Sequence, residues 1–186
     1  METLSLQAGF LTHLDNRVQR GVEMFSINKF KQIFTSVSQA NYMVNMFLKL
    51  NNKKKYSNLF FKIIKFTIRN RLHSKFNIIL GDECIIDNKL FFPHPQNIVI
   101  GSKVMMGKNC IIYHDVTIGQ NKGKYPSIGD NVIIYPGAKI IGNIKIGSNV
   151  IIGANSVVIK NVPDDTIVAG IPADIISKRV KNDEFY

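Results

Sequence analysis

The sequence has few cysteines and no long run of apolar residues. Its two cysteines, Cys84 and Cys110, are too few for a disulfide scaffold and show no CxxC spacing. No segment approaches the roughly 18 consecutive apolar residues that span a membrane, and the N-terminal residues lack the apolar core of a secretory signal. These absences predict a reduced, cytoplasmic protein.

Acidic residues are missing from one part of the chain. Residues 24–81 contain none, although eleven lysines and arginines occur there, and the rest of the chain carries thirteen basic and thirteen acidic residues. The formal net charge of +11 therefore belongs to one segment. It does not indicate a nucleic-acid site, because the remainder of the chain has no excess of positive charge.

The basic segment has a helical pattern. In "LFFKIIKFTIRNRL" apolar positions recur at intervals of three and four, with lysine and arginine between them. Basic amphipathic helices bind anionic membrane surfaces, so segment 49–75 could make peripheral contact with the inner face of the membrane. In the alternative that we favour, the apolar face packs on the rest of the chain and the lysines face water.

A different period begins further along the chain. Every sixth position from Ile100 is aliphatic, with one insertion of four residues, and glycine often follows it. The position four after each aliphatic residue is also small or aliphatic. The repeated aliphatic positions are Ile100, Met106, Ile112, Ile118, Ile128, Ile134, Ile140, Ile146, Ile152 and Val158.

A period of six fits neither an α-helix nor a long ordinary strand. It is typical of a parallel β-helix, in which short strands form the sides of a prism, one residue per hexad points inward and glycine eases each corner. Three hexads make one coil of a triangular prism. We therefore predict a mainly β protein, a β-helix preceded by an α-helical segment.

Two histidines fall at equivalent places of this repeat. Read backwards, the earlier inward positions Leu80, Ile86, Phe92 and Ile98 are two residues out of phase with the later series, so two extra residues lie just after His94. His94 and His114 each lie two residues after an inward position, and their separation is one coil plus those two residues. We expect both side chains on one outer face, one coil apart.

The hexads and four motifs closely resemble the hexapeptide-repeat acyltransferases. The motifs are "PHPQNIVIG", "VTIGQ", "YPSIGDNVIIYPGAKIIGNIKIG" and "AGIPA", within residues 78–178. The sequence looks most like the serine acetyltransferase branch and its relatives encoded with bacterial surface polysaccharides. The resemblance implies a left-handed β-helix and a homotrimer that uses acetyl-CoA. It also implies three regions: helical residues 1–75, an acyltransferase domain at 76–178 and a tail at 179–186.

The resemblance assigns His94 as the catalytic general base, which takes the proton of the acceptor hydroxyl as the oxygen attacks the acetyl thioester. Direct transfer is favoured, because both cysteines occupy inward repeat positions. A purely structural histidine between two prolines is the alternative. No metal site is expected, since His13 and His73, the other histidines, lie in the helical half.

The acceptor side departs from the serine enzymes. They typically carry aspartate before the catalytic histidine, where this chain has Pro93, and their loop ends in Arg-His-Pro, where this chain has Lys124, Tyr125 and Pro126. The family's further aspartate, which orients the catalytic histidine, falls near Ile79 of this chain, and Asp82 and Glu83 are close but not aligned with it. We therefore expect O-acetylation of a sugar or surface polysaccharide, with substrate contacts from Pro93, His114, Lys124 and Tyr125. Serine O-acetyltransferase of cysteine biosynthesis is the alternative.

The donor side matches the family better. The resemblance implies that backbone groups at four positions line the channel for acetyl-CoA and that a basic residue meets a CoA phosphate. These residues are Gly119, Pro136, Gly137, Ala154 and Lys178. A non-catalytic β-helix scaffold is the remaining alternative, and it is disfavoured because a loop at residues 119–127 interrupts the hexads.

Overall fold

The computed structural model describes residues 36–51, 58–87 and 90–179. The chain divides into two compact units, Met1–Gln39 and Ala40–Tyr186, and of the first only residues 36–39 are among those described. Two helices precede fourteen short strands in the described residues. They are α1 (Ser36–Asn51), α2 (Leu59–Phe76), β1 (Ile78–Leu80), β2 (Ile85–Ile86), β3 (Ile98–Ile100), β4 (Met105–Met106), β5 (Ile111–Ile112), β6 (Thr117–Gly119), β7 (Ser127–Ile128), β8 (Ile133–Ile134), β9 (Lys139–Ile141), β10 (Lys145–Ile146), β11 (Ile151–Ile152), β12 (Val157–Val158), β13 (Thr166–Gly170) and β14 (Ala173–Lys178).

The strands form three sheets, and the chain visits them in turn. Sheet S1 contains β1, β3, β6, β9 and β12, and sheet S2 contains β2, β4, β7 and β10. Sheet S3 contains β5, β8, β11 and β13, with β14 added antiparallel at its end. All the other pairings are parallel. The predicted parallel β-helix with an N-terminal helical segment is therefore confirmed.

The register between coils shows where the repeat is interrupted. Partners in adjacent strands are separated by eighteen residues where three hexads make a coil, by twenty across the segment after His94, and by twenty-two across the loop between β6 and β7. Examples of these separations are Ile133 with Ile151, Ile78 with Ile98, and Thr117 with Lys139. In the last coil the separation falls to sixteen residues, as between Ile151 and Ile167. The two-residue and four-residue insertions deduced from the hexad phase are both present.

Inward residues fill the prism with aliphatic side chains. All ten repeated aliphatic positions are buried, and so are the four earlier positions of the shifted phase. Burial of branched aliphatic residues on stacked coils supplies the main favourable free energy of this fold. Cys84 and Cys110 are also completely buried, and burial raises the pKa of each thiol to about 11.

Asparagine and aspartate, rather than glycine, turn most corners. Residues with positive φ at the corners include Asn97, Asp115, Asn131 and Asn149, with φ between 53° and 59°. The glycines that follow the aliphatic positions are needed for a different reason: a Cβ on Gly129 would lie 2.7 Å from a backbone nitrogen of the next coil. The expectation that glycine eases each corner is therefore corrected, because short polar side chains tolerate the left-handed conformation.

Helix α1 covers the first coil, which has no preceding coil to pair with. The Asn41 side chain donates to the backbone oxygen of Phe92 at 2.9 Å and accepts from its nitrogen at 2.8 Å. Asn45 and Asn51 donate to the carbonyls of Leu90 and Cys84. These amides satisfy backbone groups that an exposed sheet edge would leave unpaired.

Helix α2 is only partly covered. Asn58 caps its start by accepting from a backbone nitrogen of the first turn, and its second half packs on β1. The buried residues of this half are Ile68, Leu72 and Phe76, whereas the first half exposes Leu59, Phe60, Ile63 and Phe66. Neither helix in the described part of the chain is long and apolar enough to cross a bilayer.

Candidate active site

His94 and His114 lie together on one edge of the prism. His94 follows Phe91, which bridges to Ile111 of S3, and precedes β3 of S1. His114 follows β5 of S3 and precedes β6 of S1. We call this edge between S3 and S1 the histidine edge. Their ring centroids are 5.8 Å apart, with the rings at 79° to each other. The side chain of His94 is exposed and that of His114 is half-exposed. The predicted juxtaposition of the two imidazoles is thus present.

The row that carries the histidines continues along the prism. Because Ile112 pairs with Ile134 and Ile134 with Ile152, the residues two positions later are also in line: His114, Pro136 and Ala154. Backbone hydrogen bonds join the coils here, from the Gly137 nitrogen to the His114 oxygen at 3.0 Å and from the Asn155 nitrogen to the Pro136 oxygen at 2.9 Å. Beyond His114 this row carries only small side chains, which leaves room for an extended ligand.

Aromatic side chains pack beside the two histidines. Tyr113 stacks on Tyr135 with ring centroids 5.3 Å apart, and its ring centroid is 6.0 Å from that of His94. Tyr113 is 6% exposed. Its hydroxyl and the Nδ1 atom of His114 are buried with no hydrogen-bond partner in the described part of the chain.

A carboxylate also lies at this edge. Asp115 follows His114, and its Oδ2 is 4.0 Å from His114 Nε2, while its Oδ1 accepts a hydrogen bond from Asn97 Nδ2 at 2.8 Å. Lys139 donates to the backbone oxygen of Asp115 at 2.5 Å. Sequence reasoning missed Asp115 and Tyr113, although the hexad phase places both next to the histidine position.

Pro93 directly precedes His94 and is half-buried. The residue before it, Phe92, is completely buried and held by Asn41 of α1. Helix α1 therefore fixes the backbone from which His94 projects.

Lys124 and Tyr125 lie at a different edge. Their loop connects S1 to S2, and we call that edge the loop edge. Asn121 and Lys124 exchange two backbone hydrogen bonds of 3.0 Å, which close the loop into a hairpin. The Tyr125 ring packs on Gly101, where a Cβ would approach ring carbon Cε1 to 2.5 Å. Within one chain these two residues are therefore separated from His94 by the width of S1.

The remaining predicted donor residues are also dispersed. Gly119 ends β6 at the loop edge, and its carbonyl accepts from the Gly142 nitrogen at 3.0 Å. Lys178 is exposed and pairs with Thr166 at the start of β13, so it lies at the end of S3 remote from the histidine edge. Pro136, Gly137 and Ala154 alone share the edge with the histidines.

The acidic residues near Ile79 do not reach His94. Asp82 lies at the loop edge of the first coil, where it pairs with Arg69 at 2.6 Å and with Lys65 at 3.6 Å. It therefore ties helix α2 to the β-helix.

Sequence comparison identifies related transferases. Residues 125–160 match the family described as bacterial transferase hexapeptide (six repeats). A serine acetyltransferase of Buchnera aphidicola is 36% identical over 130 residues, which are 67% of this chain and 47% of that protein. A serine acetyltransferase of Staphylococcus epidermidis is 52% identical over 97 residues, 50% of this chain and 46% of that protein. The chain thus spans about half the length of these curated relatives.

Solved structures give the same result. The Neisseria gonorrhoeae serine acetyltransferase in complex with serine superposes with a TM-score of 0.66 at 28% identity, covering 86% of this chain and 69% of that one. A serine acetyltransferase in complex with CoA superposes with a TM-score of 0.65 at 29% identity, covering 77% and 58%.

These relatives correct the predicted acceptor. The prediction of a sugar or surface-polysaccharide acceptor is wrong, because the proteins that match are serine acetyltransferases. The prediction rested on the absence of a carboxylate at Pro93. It did not take into account the Asp115 carboxylate, which lies at the same edge. The repeat, the parallel β-helix and these matches relate the chain to the hexapeptide-repeat transferases and, among them, to the serine acetyltransferases.

Proposed function

We propose that the protein is a serine O-acetyltransferase that uses acetyl-CoA as acetyl donor. The observation that carries the proposal is the pair of imidazoles, with centroids 5.8 Å apart, on one edge of a β-helix whose relatives are serine acetyltransferases. The row of Pro136 and Ala154 beyond the histidines supports an extended donor along that edge.

His94 acts as general base in this reaction. It takes the proton of the serine hydroxyl while that oxygen forms a bond to the thioester carbonyl carbon. The carbon–sulfur bond then breaks, and the imidazolium of His94 returns the proton to the leaving sulfur. The products are O-acetylserine and CoA, and general-base catalysis of this kind contributes roughly 10² to 10⁴ in rate.

The thiols of the chain do not compete as nucleophiles. Burial holds the pKa of Cys84 and Cys110 at about 11, so both are protonated near neutral pH. This supports direct transfer between the two substrates without an acyl-enzyme.

The test measures CoA released from acetyl-CoA in the presence of L-serine. We expect turnover by the wild type and a loss of roughly 10²-fold or more in kcat for His94→Ala. His73→Ala is the matched control, because His73 is an exposed histidine on α2 whose side chain lies near Arg69 and Ser102 on the face of S1. Undiminished kcat in His94→Ala refutes the role of His94, and wild-type protein that releases no CoA with serine refutes the proposed function.

The assembly proposed with this function is a homotrimer. His94 and the residues Lys124 and Tyr125 lie on different edges of one chain, which supports a site completed by the loop of a neighbouring copy. The same arrangement would bring Gly119 of a neighbour, which lies at the loop edge, towards the donor.

Location is proposed in two parts. We propose that the protein acts in the cytoplasm and that segment 49–75 contacts an anionic membrane surface. The exposed Leu59, Phe60, Ile63 and Phe66, with Lys62 between them, support the membrane contact. Residues 52–57 of this segment lie outside the described residues.

A further inference from the structure

Two rows of short polar residues run along the corners of the prism. In each row a side-chain amide donates to the side-chain oxygen of the residue one coil further on, and each residue has positive φ. The last hydrogen-bond acceptor is Asp115 in the row at the histidine edge and Asp165 in the row at the edge between S2 and S3. The hydrogen-bonded residues are Asn77, Asn97 and Asp115 in the first row, and Asn109, Asn131, Asn149 and Asp165 in the second.

The negative charge of Asp115 is not needed for this structural role. Asparagine fills the equivalent position in other coils, where its amide oxygen accepts the same kind of hydrogen bond. In Asp115, Oδ1 accepts from Asn97, which leaves Oδ2 at 4.0 Å from His114 Nε2, and the side chain is 50% exposed. Among the residues that the structure describes, this carboxylate has no lysine or arginine within 4.0 Å.

A second observation points to a ligand at the same place. Tyr113 is 94% buried, and its hydroxyl has no partner within the described ranges; the same is true of His114 Nδ1. Buried polar groups are normally hydrogen-bonded. The rings that carry these atoms have centroids 6.0 and 5.8 Å from that of the exposed His94 ring, on the edge where the acceptor hydroxyl must be held for proton transfer.

We propose that Asp115 binds the ammonium group of the amino-acid acceptor and is a specificity-determining residue. The inference rests on the proposed function. In serine the ammonium and hydroxyl groups are on adjacent carbons, so a hydroxyl held at His94 places the ammonium group within the same small site. A carboxylate and an ammonium form short, charge-assisted hydrogen bonds, which supply the charge recognition that Pro93 cannot.

The variant Asp115→Asn tests the charge with little change of shape, since asparagine suits this backbone conformation and can still accept from Asn97. We expect the KM for L-serine to rise roughly 10- to 100-fold, as for loss of a charge-assisted hydrogen bond, with the KM for acetyl-CoA unchanged. Asp165→Asn is the matched control, because Asp165 has φ of 56° and accepts from Asn149 at 2.9 Å on another edge. It should leave both KM values unchanged.

A second acceptor separates charge recognition from general damage. 3-Hydroxypropanoate is serine without the amino group, so the wild type should prefer serine over it in kcat/KM, and Asp115→Asn should reduce that preference at least about tenfold. An unchanged KM for serine together with an unchanged preference overturns the assignment of Asp115 while leaving the proposed function standing. A wild type that does not acetylate serine overturns both, and equal use of the two acceptors by the wild type overturns the assignment without any variant.

Discussion

At the scale of single residues, Asn41 shows how the position of the candidate base depends on a distant part of the sequence. Its side-chain amide forms hydrogen bonds with both the backbone nitrogen and the backbone oxygen of Phe92, two residues before His94. In later coils the preceding coil makes such contacts, as where the Tyr113 nitrogen donates to the Ile134 oxygen and the Tyr135 nitrogen to the Ile152 oxygen. Asn41 therefore replaces a missing strand at the point where the site begins.

Removing this amide should affect both stability and catalysis. Asn41→Ala leaves two backbone groups of a fully buried residue unpaired, and we expect a loss of about 2 kcal/mol in the free energy of unfolding, measured in urea. We also expect a lower kcat, because the backbone that carries His94 is less constrained.

Asn45→Ala provides the comparison, since Asn45 donates to the Leu90 oxygen at a longer 3.3 Å and otherwise to the Asn41 carbonyl of its own helix. Its cost should be smaller, about 0.5 to 1 kcal/mol. Equal effects of the two substitutions on stability and kcat would contradict the special role of Asn41.

At the scale of elements, the hexad period allowed the β-helix to be predicted in detail. The repeated aliphatic positions predicted the buried core, and the phase shift after Phe92 predicted that His94 lies beside His114. The hexad phase gives the position of Asp115 but not its proposed role, because a side chain in a left-handed corner appears in sequence as an ordinary turn residue. The amide contacts of α1 join residues 33 to 51 positions apart, so no local sequence pattern predicts them.

The two halves of helix α2 bear on different interpretations of the basic segment, and the membrane contact stays a proposal. Its second half packs on β1, as the favoured alternative predicted, and its first half exposes an apolar surface of Leu59, Phe60, Ile63 and Phe66. Such a surface, with basic residues beside it, is typical of helices that lie on membranes.

The proposed membrane contact predicts binding to vesicles that contain anionic lipid, and weaker binding as salt rises, because surface charge is screened. Co-sedimentation of the protein with vesicles measures it. Phe60→Ser with Ile63→Ser should reduce binding, whereas Ile79→Ser, an exposed apolar position on S1, should not. Binding that is independent of salt and of anionic lipid would contradict the proposal.

At the scale of the whole molecule, the predicted site residues lie on two different edges of one chain, and this separation supports the proposed trimer. The histidine edge carries His94 and His114, and the loop edge carries Lys124 and Tyr125. The proposed closed ring of three copies would bring the loop edge of each subunit to the histidine edge of the next, since heterologous contacts that close generate cyclic symmetry. The expected mass is about 63 kDa, three times the 21.0 kDa chain, measurable by light scattering.

Mixed assemblies test whether neighbouring copies share one site. We expect His94→Ala and Tyr125→Ala to be weakly active alone, and their co-expressed mixture to recover about a quarter of wild-type activity, because one interface in four then pairs an intact His94 with an intact Tyr125 from the next subunit. Two differently tagged copies of His94→Ala, co-expressed in the same way, should recover nothing. If the mixture of the two different variants also recovers nothing while the mass is trimeric, both residues serve a site within one chain, and the Tyr125 loop must then leave Gly101 to reach His94.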